Sequence, residues 1–152
     1  MTTTADIGHP AVHPHLAPVS ITIPGDPVGK GRPRFFRGRA VTPAKTRAYE
    51  LAIRAAGEKA VREHGRFNDA QPLRIRVEAR MPIPPSWSAH KRQQAVSQSL
   101  RPTGKPDCDN LLKAAADGLN GVLYRDDAQL VETSIVKAYH ESPALIIEVS
   151  AV

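Results

Sequence analysis

One cysteine, Cys108, is all that this chain of 152 residues holds. A lone thiol makes no internal disulfide and no thiolate-rich zinc site, and it fits a reducing, cytoplasmic setting. Long apolar runs are also missing. No stretch nears the roughly 18 apolar residues of a membrane span, so no membrane partner is expected. The opening segment, MTTTADIGHPAVHPHLAPVS, has neither the basic start nor the unbroken apolar stretch of a secretory signal. The chain is long enough for one compact domain with its own core and too short for two comfortable ones. What it has in excess is positive charge: 21 Lys and Arg against 15 Asp and Glu, a net charge of +6, which favours polyanionic partners.

Residues 1–18 combine three histidines and three prolines without hydrophobic periodicity and read as a flexible tail, with His9, His13 and His15 solvated. Residues 19–152 form the expected folded domain. Val19 begins an alternation that predicts a strand ending at Pro24-Gly25. Arg34-Phe35-Phe36, a turn at Arg37-Gly38-Arg39, and Ala40-Val41 predict a hairpin. A helix is predicted over about Lys45 to His64, with Tyr49, Ile53, Ala56, Ala60 and Val61 on one side and Gly65 as its stop. Leu73 to Met81 alternates apolar and charged residues as a half-buried strand does. Ser88 to Leu100 reads as a polar helical insert beside Trp87, with Ser86 or Ser88 as its cap. A second main helix is expected over Asn110 to Asn120, with Leu111, Leu112, Ala115 and Leu119 inward and Gly121 as a left-handed stop. Two closing strands, Leu130 to His140 and Leu145 to Val149, complete the chain. The fold class these elements imply is α/β, tending to α+β: a single domain with a mixed sheet and two main helices.

The passage with most chemistry is Lys105-Pro106-Asp107-Cys108-Asp109-Asn110, followed by Asp126-Asp127 before a strand. In an extended segment, residues two apart share a face, so Asp107 and Asp109 would converge on one hard cation. Mg²⁺ takes one or two carboxylates, keeps several waters and leaves room for phosphate oxygens. Each piece also has a structural reading. Asp109 would cap the helix, Asp107 would stabilise a turn, and Asp126-Asp127 would be a solvated loop. Lys113 either pairs with Asp109 or Asp117 at helical spacing or stabilises charge on a phosphate. Other chemistries fit worse. Gly25-Asp-Pro-Val-Gly29-Lys30-Gly31 is one residue short of a phosphate loop and lacks its Ser or Thr. The aspartate run has Leu112 where an EF-hand needs glycine. Cys108 lies between two anions, a poor setting for a nucleophilic thiolate, and His64, His90 and His140 are isolated.

Between Lys30 and Arg47 stand seven cations and no acid: Lys30, Arg32, Arg34, Arg37, Arg39, Lys45 and Arg47. A hairpin so charged makes a phosphate-binding surface, each neutralised phosphate adding about 0.9 to the log-log salt slope on duplex DNA. An acidic metal centre beside a basic groove is what phosphodiester cleavage needs.

Two blocks, IPGDPVGKGRPRFFRGRAVTPAKTRAYE and KPDCDNLLKAAADGLNGVLYRDDAQLVE, resemble the RusA family of Holliday junction resolvases. The second carries the specific features: Asp-x-Asp-Asn, a lysine four residues after the second Asp, an Asp-Gly-Leu-Asn-Gly helix end and the Asp-Asp pair. The resemblance implies a homodimeric, Mg²⁺- or Mn²⁺-dependent endonuclease that places paired nicks across four-way DNA junctions. Carried over by position, Asp107, Asp109 and Asp127 would hold metal, Asp126 would be the weaker ligand, and Lys113 would be the catalytic lysine. Two rival functions share parts of this pattern. A non-catalytic nucleic-acid-binding module explains the basic hairpin, and a less selective metal nuclease acting on flaps or linear DNA would share the site.

Overall fold

The computed structural model describes residues 16–152. The predicted tail, with His9, His13 and His15, lies outside the described residues except for its end. There Leu16 packs against the core, so the last part of the segment read as tail is docked.

The elements in chain order are β1 (Val19–Pro24), β2 (Arg34–Phe36), β3 (Arg39–Val41), α1 (Ala44–His64) and β4 (Leu73–Pro82). Then follow α2 (Ala89–Val96), α3 (Cys108–Leu119), β5 (Leu130–His140) and β6 (Ala144–Ala151). Four strands form a mixed sheet in the order β1-β6-β4-β5, in which only β4 and β5 run parallel. β2 and β3 form a separate two-stranded ribbon. The expected mixed-sheet α+β domain is therefore present. No helix among the described residues is long and apolar enough to cross a membrane.

Alternation decides which face of the sheet is buried. Leu73, Ile75, Val77 and Ala79 of β4 point into the core, as do Ile21 of β1 and Leu145, Ile147 and Val149 of β6. Helices α1 and α3 cover that face: α1 packs on β1 and on α3, and α3 packs on β4 and β5. Tyr49, Ile53 and Ala60 face inward from α1, and Leu111, Ala115 and Leu119 from α3. At the crossing of the two helices the backbones approach closely. A Cβ added at Gly118 would lie 2.6 Å from Ile53 Cγ2, and one at Gly57 would lie 2.7 Å from Leu119 Cδ2.

The polar insert is helical only as far as Val96, with Ser88 as its cap: Ser88 Oγ accepts from the Lys91 N–H at 3.3 Å. Trp87 meets Tyr139 edge-on at 5.2 Å between centroids, which anchors the insert to β5.

One expectation changes where it bears on the site. The second main helix starts at Cys108, not Asn110. Leu111 N–H donates to the Asp107 carbonyl at 3.1 Å, so the first turn closes before the apolar stripe begins. Asp107 is the cap residue, without a side-chain cap bond, and Asp109 sits inside the first turn, where the helix dipole favours an anion. The two aspartates are thus not alternate positions of an extended segment. Their relation is that of a cap and a first-turn residue of one helix.

Candidate active site

Three elements meet around the start of α3. The glycine-rich run after β1 passes directly beside it: Lys30 N–H donates to the Asn110 carbonyl at 2.9 Å, and a Cβ at Gly29 would lie 2.8 Å from Pro106 Cβ. Gly31 N–H donates to Thr46 Oγ1 of α1 at 2.9 Å. These glycines serve close packing, which explains why the run imitates a phosphate loop without being one. From the other side, Lys137 Nζ of β5 donates to the carbonyls of Gly104 (2.6 Å) and Pro106 (3.0 Å), fixing the segment that leads into Asp107.

Of the residues singled out in the sequence, Asp109, Lys113 and Asp127 line one pocket, with Leu112, Leu130 and Thr133. Asp109 and Lys113 are one helical turn apart on α3. Asp127 arrives on the 3-10 turn Asp127–Gln129 that feeds β5, and its N–H donates to Asn120 Oδ1 at 3.2 Å. Asp107 is exposed at the cap position and Asp126 is exposed next to Asp127, both outside the lining of this pocket. Asp126 has work of its own. Its side chain accepts from the Ala128 N–H at 2.9 Å, and Gln129 Oε1 accepts from the Asp126 N–H at 3.2 Å, a reciprocal capping box. The Ala128 N–H, above all, draws the Asp126 carboxyl below its ordinary pKa, helped by a hydrogen bond with Asp127 and by Arg125. Asp127 moves the other way. Partial burial raises its pKa, reinforced by the hydrogen bond with Asp126 and the charges of Asp126 and Asp117, while Lys113 opposes.

Among the described residues, no three His, Cys, Asp or Glu side chains converge tightly enough to hold a metal ion. The pocket nevertheless has the donor chemistry of a hard cation: two aspartates from different elements, no nitrogen or sulfur ligand, and a half-buried carboxyl whose charge wants a positive neighbour. Mg²⁺ needs only one or two protein carboxylates and keeps its waters, so the residues present fit it.

The sequence offered Asp117 as a partner for Lys113 but did not reveal that Lys30 and Glu50 join the same ion network. Asp117 accepts from Lys113 Nζ at 3.2 Å through Oδ1 and from Lys30 Nζ at 3.0 Å through Oδ2, while Lys30 also reaches Glu50 Oε1 at 2.6 Å. Of the two partners weighed for Lys113, the structure selects Asp117. Burial opposes the Lys30 charge, yet Glu50 and Asp117 outweigh it and raise its pKa. Lys30 therefore spends its charge inside the protein, unlike the other six cations of its segment, which are exposed. Arg32, Arg34 and Lys45 line a groove together with Pro106, the residue before Asp107. Lys105 lines it too, a basic residue whose role is visible only once Gly29 and Pro106 are seen in contact.

The segment from Lys105 to Lys113 thus contributes to both a basic groove and an acidic pocket, and its sequence has counterparts among known proteins. A family model described as Endodeoxyribonuclease RusA matches residues 24–150, from the end of β1 almost to the end of β6. The chain belongs to the RusA endodeoxyribonuclease family. Its similarity to other proteins runs through most of its length. It is 34% identical over 140 residues to the uncharacterized protein YqaN of Bacillus subtilis (strain 168), covering 88% of this chain and 98% of that one. It is 32% identical over 119 residues to the crossover junction endodeoxyribonuclease RusA of Escherichia coli (strain K12), covering 78% of this chain and 81% of the relative. The same identity and coverage hold for the RusA of Shigella sonnei (strain Ss046). As a RusA endodeoxyribonuclease, the protein is a DNA-cleaving enzyme, and the groove and pocket lie within the matched region.

Proposed function

We propose that this RusA-family endonuclease resolves four-way DNA junctions, acting as a homodimer that hydrolyses one phosphodiester in each of two strands with Mg²⁺, for which Mn²⁺ substitutes. It works in the cytoplasm, where Cys108 stays reduced. Asp109 and Asp127 hold the metal, with Asp107 at the helix cap and Asp126 beside Asp127 completing the acidic rim. The observation that carries this reading is the shared pocket of Asp109, Lys113 and Asp127, on the helix entered from Lys105 and Pro106 of the basic groove.

When bound, the metal supplies Lewis-acid polarisation of the scissile phosphate and a water activated at neutral pH. The chain's own residues do the rest. Arg32, Arg34, Lys45 and Lys105 hold the strand by its phosphates, with Arg37, Arg39 and Arg47 extending the positive surface. Lys113 presents its ammonium to the reacting phosphate and stabilises the charge that develops there. Asp117 holds Lys113 in place, and Lys30 balances Asp117, which lessens the repulsion between Asp117 and the Asp127 carboxylate. Lys30 thus acts as a counter-ion within the protein rather than as a DNA contact.

Asp109→Asn tests the site. The variant is expected to lose cleavage in Mg²⁺ and in Mn²⁺ while binding junction DNA at least as tightly as the wild type, because one metal ligand and one repulsive charge go together. EDTA added to the wild type is expected to give the same loss. Cleavage by Asp109→Asn at the wild-type rate would contradict the assignment.

A further inference from the structure

The hairpin of β2 and β3 carries two aromatic rings that the fold leaves uncovered. Phe35 is 83% exposed and Phe36 65% exposed. Adjacent residues of a strand face opposite ways, so the ribbon bears one ring on each face. The ribbon is not continued by the four-stranded sheet, and the residues paired with the rings, Ala40 and Arg39, are too small or too polar to bury them. Among the described residues, the Arg37 guanidinium lies over Phe36, at 5.3 Å from the ring centroid.

Charge selects the occupant. From Lys30 to Arg47 the chain contains no acid, and Arg34, Arg37 and Arg39 surround the two rings. Two such hairpins would repel each other, whereas a polyanion would be drawn in. Arg34, next to Phe35 in the chain, also lines the basic groove with Lys105 and Pro106, which puts the rings beside the path proposed for the DNA strand. A phosphate backbone offers an aromatic ring little; a base offers its π-face. In a linear duplex those faces are already stacked on their neighbours. At a branch point the terminal pairs of each arm lose a neighbour and have a face to give.

We infer that Phe35 and Phe36 stack on bases exposed at the branch point, one ring on each side of the ribbon, and so distinguish branched DNA from a duplex of equal charge. This rests on the nuclease reading only for the kind of DNA involved. It is tested by binding alone, without metal, so that failure to cut and failure to stack are separate results.

The experiment compares wild type, Phe35→Ala/Phe36→Ala and Phe35→Trp/Phe36→Trp in EDTA. Each is titrated with a four-way junction carrying 2-aminopurine at the branch and with a linear duplex at several salt concentrations. Sedimentation and thermal melting are recorded for all three. Because both rings are exposed, the alanine variant is expected to melt with the wild type. Its junction affinity is expected to fall by about tenfold or more, with the branch fluorescence change lost. Duplex affinity and the salt slope are expected to stay unchanged, since the arginines remain, and the tryptophan variant is expected to recover junction binding. Equal losses on junction and duplex, or no loss on either, would overturn the inference. So would an alanine variant of reduced sedimentation mass, which would assign the rings to a contact between two copies of the chain.

Discussion

Lys113 and Lys30 share one carboxylate, and that sharing makes different predictions for each. Lys113→Met is expected to lower the single-turnover cleavage rate by about 10² to 10³ with little change in junction affinity, the pattern of a group that acts on developing charge. Asp117→Asn keeps the size of the side chain but frees both lysines. It is expected to lower the rate less than Lys113→Met, and to add little once Lys113 has been changed, because both act through one ammonium. Additive losses in the double variant would separate them. Lys30 tests through stability. Its folded pKa lies above the ordinary 10.5. The ion pair therefore stabilises the fold fully below that value, and the contribution is lost as pH rises through the higher folded pKa. Thermal melts of wild type and Lys30→Met should differ by a constant amount from neutral pH to about 10 and converge only in stronger alkali. Of these residues, Asp109, Asp127 and Lys113 stood out in the sequence by residue type and spacing, and the fold brings them to one pocket. The ion pairs of Lys30 were not legible, because a run of cations looks uniform in one dimension. Glu50 and Asp117, which neutralise it, lie 20 and 87 positions away.

At the scale of elements, the crossing of α1 and α3 rests on two glycines with different tolerances. At Gly118 an added methyl would meet the branched Cβ and Cγ2 of Ile53, which are fixed by a buried, β-branched side chain. Gly118→Ala is expected to destabilise by about 1–3 kcal/mol, partly offset by alanine's better helix propensity. At Gly57 the added methyl would meet the far end of the Leu119 side chain and approach Val122 Cγ1 at 3.3 Å, so Gly57→Ala is expected to cost less than Gly118→Ala. Chemical denaturation of the two variants checks the contrast, and equal losses would contradict it. Periodicity made both helices legible, since Tyr49, Ile53 and Ala60, and Leu111, Ala115 and Leu119, recur at helical intervals. It could not show that glycine was part of the buried stripe, because a missing side chain leaves no hydrophobic signal. It also misplaced the start of α3. The first apolar residue, Leu111, comes three residues after the helix begins, and the polar first turn carries no periodicity to detect.

For the whole molecule, the strands were legible one at a time but their order was not. β1, β4 and β6 announce themselves by alternation. The arrangement β1-β6-β4-β5, which sets β5 parallel to β4, depends on pairings between distant parts of the chain. That arrangement brings Asp127, at the head of β5, back beside Asp109 of α3, and makes a single pocket from two motifs. The positive groove adds a consequence for binding: if six exposed cations contact phosphates, duplex affinity should fall with salt at a log-log slope of about −5. A slope near zero would remove the groove from the account. Two symmetric cuts require two sites, so sedimentation of the intact chain is expected to give a dimer.

The most direct test of the central claim is strand cleavage of a synthetic four-way junction beside a linear duplex of the same sequence, with Mg²⁺ or EDTA. The expected result is a pair of symmetric nicks confined to the junction, present only with metal and absent in Asp109→Asn. Equal cutting of the linear duplex would contradict junction resolution in favour of a less selective nuclease. Tight junction binding with no cut in Mg²⁺ or Mn²⁺ would contradict the assignment of a catalytic site.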